Sequence, residues 1–137
     1  MGHVKFALFY LISGVAAAFA QVVVDPSAIV PMVGASGAIS GVLGAYAILY
    51  PHARVHTVLP LGFVWTTIQL PAWVMLGYWI VLQVLGGVTA YAGAQKGGVA
   101  FMAHVGGFAA GMLLVKLFGS AEHRARRREL SLARGFR

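Results

Sequence analysis

Two short stretches hold the residues whose types could do covalent chemistry. One is Gly34-Ala35-Ser36-Gly37, a serine among glycines where an apolar run begins. The other is Ala103-His104-Val105-Gly106-Gly107-Phe108, a lone histidine in a second apolar, glycine-rich run. A serine hydroxyl is a weak nucleophile until a base takes its proton. Histidine is the usual base because it titrates near neutral pH. The pair therefore reads as nucleophile (Ser36) and general base (His104). Ser36 opens a helix, where unpaired backbone N–H groups favour negative charge, so its own N–H is a candidate donor to an oxyanion.

For the two side chains to meet, their helices must approach closely. Gly37 and Gly41 form one small-xxx-small ridge, flanked by Gly34 and Gly44, and Gly107 and Gly111 form another. His104, Gly107, Phe108 and Gly111 share a face at i, i+3, i+4 and i+7, so the histidine and the close-packing surface point the same way. Ser36, Ser40 and Leu43 share a face of the earlier helix. Serine and glycine in membrane helices ordinarily do nothing but pack. A histidine inside a membrane is different, because burying a polar group there is costly and marks a functional site by default.

The rest of the chain explains why a membrane is invoked. It is 137 residues long, 60% hydrophobic and only 9% charged, against about 25% charged in a soluble domain. Six of its ten basic residues, Arg124, Arg126, Arg127, Arg128, Arg134 and Arg137, crowd the last fourteen positions. Beside apolar spans, such a tail marks the cytoplasmic face and anionic lipid rather than nucleic acid. Cysteine is absent, which removes disulfides, thiol catalysis and thiolate metal sites. Lys5, the apolar run after it and Ala18-Phe19-Ala20 have the outline of a signal peptide, but only further apolar spans follow.

The pattern predicts an all-α polytopic membrane protein with spans at about 4–24, 36–50, 72–91 and 99–118. These make a transmembrane domain over 1–119 and a basic tail over 120–137. The helix at 36–50 is about 22 Å long and falls short of the ~30 Å hydrocarbon core. The loop before it must therefore be re-entrant, which membranes tolerate only inside protein or beside water. Residues 57–70 are broken by Pro60 and Gly62 and read as an interfacial or re-entrant loop, with Pro71 as a first helical residue. Lys5, Arg54, Lys116 and the tail arginines fall on one side and Lys96 on the other, which places both termini in the cytoplasm. Ser36 and His104 then lie at one depth, each about 8 Å below the outer face.

Other polar positions carry weaker signals. His52 and His56 are four apart, but Pro51 and a polar turn favour a loop, and no third metal ligand lies near. Trp65, Trp73, Trp79 and Tyr78 fit interfacial belts or lipid-facing surface, and Trp73 is also a candidate for lining a substrate gate. The glycine series lacks the Lys-Ser/Thr of a phosphate loop. The serine elbow of soluble hydrolases is unmatched because position 38 is alanine.

Gly34-Ala35-Ser36-Gly37-Ala38-Ile39-Ser40-Gly41 and Ala103-His104-Val105-Gly106-Gly107-Phe108 resemble the two signature helices of rhomboid intramembrane serine proteases. Val58-Leu59-Pro60-Leu61-Gly62-Phe63 and Pro71-Ala72-Trp73 are similar to bacterial members, and the resemblance runs to Phe118. It implies a protease in the bacterial inner membrane that cuts single-pass transmembrane substrates near their outer boundary. By motif match Ser36 is the nucleophile and His104 the base of a dyad without an acidic third member. No metal or organic cofactor is implied. The family's core has two further helices ahead of this point, with a Trp-Arg loop and a His and an Asn that complete the oxyanion hole. This chain matches from the third helix and contains no asparagine. Ser40 also stands where many relatives have an aromatic residue stacked on the histidine, so the imidazole must be oriented from elsewhere. Two competing readings remain: an inactive relative that binds transmembrane segments without cutting, and a helix-packing scaffold.

Overall fold

The computed structural model describes residues 1–27, 32–92 and 99–118. The tail at 120–137 and the loop bearing Lys96 lie outside the described residues. Four helices are present among them: α1 (His3–Val24), α2 (Ser36–Leu49), α3 (Ala72–Tyr91) and α4 (Phe101–Phe118). The helix starts at Ser36 and Ala72 fall where the sequence puts them. The last helix begins two residues later than expected, which makes His104 its fourth residue.

Three of these helices, α1, α3 and α4, are long and apolar enough to cross a membrane. The 14 residues of α2 span only about 21 Å. The packing is the reverse of a soluble bundle. Small residues of α1, namely Ser13 and Ala17, are buried, while Val4, Leu8, Leu11, Val15, Phe19 and Val22 stand exposed. Bulky apolar groups turned outward along a whole helix need an apolar solvent.

Helix α4 packs on α2 and α1, and α3 lies against α4. The α2–α4 seam is backbone on backbone. A Cβ at Gly107 would meet the Gly37 carbonyl, one at Gly111 the Gly41 carbonyl, and one at Gly44 the Phe108 carbonyl. Helix α1 fills the groove between them with small side chains. A Cβ on Gly37 would lie 2.6 Å from that of Ala17, and one on Gly41 2.5 Å from that of Ser13. One end of the bundle is closed by a larger cluster of Phe9, Ala45 and Val115, with Phe9 and Phe118 edge to face at 6.3 Å. Bulk at that end and glycine along the seam bring the starts of α2 and α4 together at the other.

The stretch at 57–70 is not a loop: the mostly helical bundle carries a β-hairpin there. Strands β1 (Arg54–Leu61) and β2 (Val64–Pro71) form an antiparallel hairpin paired from Arg54↔Pro71 to Leu61↔Val64. Gly62 and Phe63 make the two-residue turn, and only Gly62 has positive φ, at 65°. Glycine first in a two-residue loop is the type II′ hairpin signal. Leu61 and Val64 close the turn, so ladder alternation makes Pro60↔Trp65 a non-hydrogen-bonded pair. The missing proline N–H then faces an open edge and breaks nothing. Pro71 ends β2 and caps α3 rather than starting it. The Ala72 and Trp73 N–H groups donate to the carbonyls of Ala53 (2.8 Å) and Pro51 (2.9 Å). These bonds satisfy helix-start donors that have no partner of their own within α3.

Candidate active site

Ser36 is the first residue of α2, behind Ala35 at the N-cap. Gly34 has φ 126°, a conformation that side-chain-bearing residues avoid, and this bend delivers the chain into the helix. The first intrahelical bond runs from the Ile39 N–H to the Ala35 carbonyl, 3.0 Å. The N–H of Ser36 therefore has no carbonyl within α2 to bond and lies beside its own hydroxyl. Ser40, one turn on, is buried and donates its hydroxyl to the Ser36 carbonyl at 2.7 Å. It plays no part at the imidazole.

His104 lies in the first turn of α4. The start of that helix is tied to α1: the Ala103 N–H is shared between the Ala100 carbonyl at 3.1 Å and Gln21 Oε1 at 3.2 Å. The His104 imidazole reaches across the seam, and its Nε2 lies 2.9 Å from Ser36 Oγ. Its other nitrogen, Nδ1, lies 2.7 Å from Gln83 Oε1 on α3. The Trp79 ring, one turn before Gln83, packs against the imidazole at 5.8 Å between centroids and against Phe108 at 6.1 Å. Trp79 is half-buried, with its ring on the imidazole and on Phe108. Together with Gln83 it is the external support for the imidazole that Ser40 does not supply. Only a general signal was open to a reading of the sequence: an amide in an apolar span needs a partner.

The pair opens onto a cavity of about 590 Å³ lined by Ser36, Gly37, His104, Met102, Gln21 and Tyr91, among others. It has room for an extended peptide segment and for water. Gly37, Gly41, Gly107 and Gly111 form the seam behind the pair, and Gly34 forms the bend before it. His52 lies in the turn after α2 and His56 within β1, both exposed at the base of the hairpin. Among the described residues no group of three or more His, Asp and Glu side chains is placed to hold a metal. Trp73 is exposed at the start of α3. It is at the end of the bundle away from Ser36, because α3 runs antiparallel to α4 and meets it through Gly86 and Gly87 against Phe101 and Met102.

Compared with known proteins, residues 1–121 match a family model described as the Rhomboid domain. No curated protein and no solved structure matches the chain.

Proposed function

The chain belongs to the rhomboid family of integral membrane proteins, which comprises intramembrane proteases and inactive relatives; on that premise we propose that it is a serine endopeptidase cleaving transmembrane substrates with Ser36 and His104 as its dyad. The observation that carries this reading is the 2.9 Å approach of Ser36 Oγ to His104 Nε2. That approach joins two helices that meet backbone to backbone beside a cavity of about 590 Å³.

The chemistry follows from the atoms. Nε2 takes the hydroxyl proton as Oγ attacks the scissile carbonyl carbon. The carbonyl oxygen becomes an oxyanion, which the Ser36 N–H, without a carbonyl partner in α2, stabilises. The imidazolium returns its proton to the leaving amine as the C–N bond breaks, giving an ester on Ser36. Water then adds to the ester with His104 again as base, releasing the carboxyl product and restoring the serine. Every group involved belongs to the chain, the substrate or water, and no cofactor takes part.

Orientation is part of the same proposal. Lys5 in the first turn of α1, Arg54 just after α2 and Lys116 in the last turn of α4 occupy the end away from Ser36. With that end in the cytoplasm of a bacterial inner membrane, the basic tail meets anionic lipid and Ser36 opens toward the outer face. Substrates would then be single-pass proteins cut near their outer boundary.

The test is cleavage of a single-pass reporter by the purified chain in proteoliposomes. Ser36→Ala should abolish product while the reporter still co-purifies. Cleavage by that variant at the wild-type rate would rule out the dyad. Reporter binding without cleavage by the wild type would assign the chain to the inactive relatives.

A further inference from the structure

We infer that Gln83 is a positioning residue that selects the tautomer of His104. Its side-chain oxygen accepts the Nδ1 proton and so leaves the Nε2 lone pair facing Ser36. Neutral imidazole carries one proton on either nitrogen. Only the Nδ1–H form can serve as a base toward Ser36, because Nε2 must be bare to accept. The 2.7 Å contact between Nδ1 and Gln83 Oε1 selects that form, since an amide oxygen can only accept.

The direction of the amide is itself supported. Gln83 Nε2 points to the Trp79 carbonyl of the preceding turn at 3.5 Å. Turned over, the amide would set its oxygen against that carbonyl and lose the contact. Trp79 lies against the imidazole ring, so the ring is held in its plane by one side chain and about its axis by the other. All three residues come from the segment where α3 crosses the start of α4, beneath Gly86 and Gly87, whose missing side chains admit Phe101 and Met102.

An amide suits this position for a physical reason. A carboxylate would stabilise the imidazolium more strongly, but an ion beside α3 would have to be desolvated within an apolar span. Glutamine sets the tautomer without a buried charge, and each of its polar atoms has a partner, His104 for the oxygen and the Trp79 carbonyl for the nitrogen. A purely structural amide, needing any partner at all, would be indifferent to which imidazole nitrogen it meets.

For its catalytic meaning the inference rests on the Ser36–His104 reading. The tautomer itself can be read without activity. Nitrogen-15 NMR of the full chain in micelles, with labelled histidine and a His104→Gln reference to assign the signal, should show His104 with Nδ1 protonated and Nε2 bare. In Gln83→Met, which keeps length and volume but cannot accept, the single tautomer should give way to a mixture. Reaction of Ser36 with a fluorophosphonate should slow roughly tenfold, the loss of one ordinary hydrogen bond. Gln83→Glu, which keeps the acceptor, should restore the Nδ1–H form and most of the rate.

Wild-type protein with the proton on Nε2 would overturn the inference even if Gln83→Met failed to fold. An unchanged tautomer and rate in a folded Gln83→Met would overturn it as well. If the wild type is not labelled at Ser36 but shows the Nδ1–H form, lost in Gln83→Met, then the dyad fails as an enzyme while the positioning contact stands.

Discussion

Gly111→Ala tests whether the glycine seam, and not a few polar contacts, holds the pair together. Gly111 is two turns from His104 and touches neither member of the pair. A Cβ there would run into the Gly41 carbonyl and lie 2.5 Å from its carbon and 2.6 Å from Gly41 Cα. Carbon atoms settle at about 3.5–4.0 Å, so α2 and α4 must part by roughly 1 Å. These are backbone atoms and no rotamer change can relieve them. Overpacking of this kind costs about 1–3 kcal/mol. The same displacement at the top of the seam would carry Ser36 Oγ from 2.9 Å to beyond hydrogen-bonding reach of Nε2, and a misplacement of ~1 Å can lower a rate about 10²-fold. Gly77→Ala is the matched control, since a Cβ there meets nothing within 4 Å and should stabilise α3 by about 0.5–1 kcal/mol. Thermal unfolding in micelles and the rate of fluorophosphonate labelling read the two effects. Gly111→Ala with wild-type stability and wild-type labelling would refute the argument that backbone contact sets the Ser36–His104 distance.

Three other outcomes follow from particular residues. Gly34→Ala forces a side chain onto φ 126° and should cost about 1–3 kcal/mol of strain, read as a lower unfolding midpoint together with slower labelling of Ser36. Ser13 is fully buried against Gly41, and its hydroxyl has no hydrogen-bond partner among the described residues. Ser13→Ala should therefore raise stability by about 1–2 kcal/mol with labelling unchanged. Cleavage should fall as pH is lowered through the range where histidine titrates, because imidazolium cannot accept the Ser36 proton. A flat profile between about pH 5 and 8 would remove His104 from the role of base.

The helices were legible because their signals are local. Apolar runs, the glycine before Ser36 and the proline before Ala72 mark ends that depend on a few neighbours. The shared face of His104, Gly107 and Gly111 was legible too, because helical spacing alone fixes it. The hairpin was hidden by Pro60, which reads as a breaker until the register shows its nitrogen on an open edge. Its period-2 alternation, with Val55 and Thr57 half-buried between exposed Arg54, His56 and Val58, is short and mixed in polarity. The support behind the imidazole was hidden for another reason. That Gln83 needs a partner can be read from its place in an apolar span. That the partner is His104 Nδ1 depends on how α3 crosses α4, and no spacing within either segment encodes this. The contact of Trp79 with the imidazole was hidden on the same ground, since a tryptophan in a span looks alike whether it faces only lipid or also another ring.

The account rests on Ser36 being a nucleophile made reactive by His104, and site-resolved fluorophosphonate labelling tests that most directly. Mass spectrometry of the labelled chain should place the adduct on Ser36, with none in Ser36→Ala. In His104→Ala, labelling should be slower by about 10²–10⁴-fold, the usual contribution of a general base. Labelling that is absent from Ser36, or that proceeds at the same rate without His104, would contradict it.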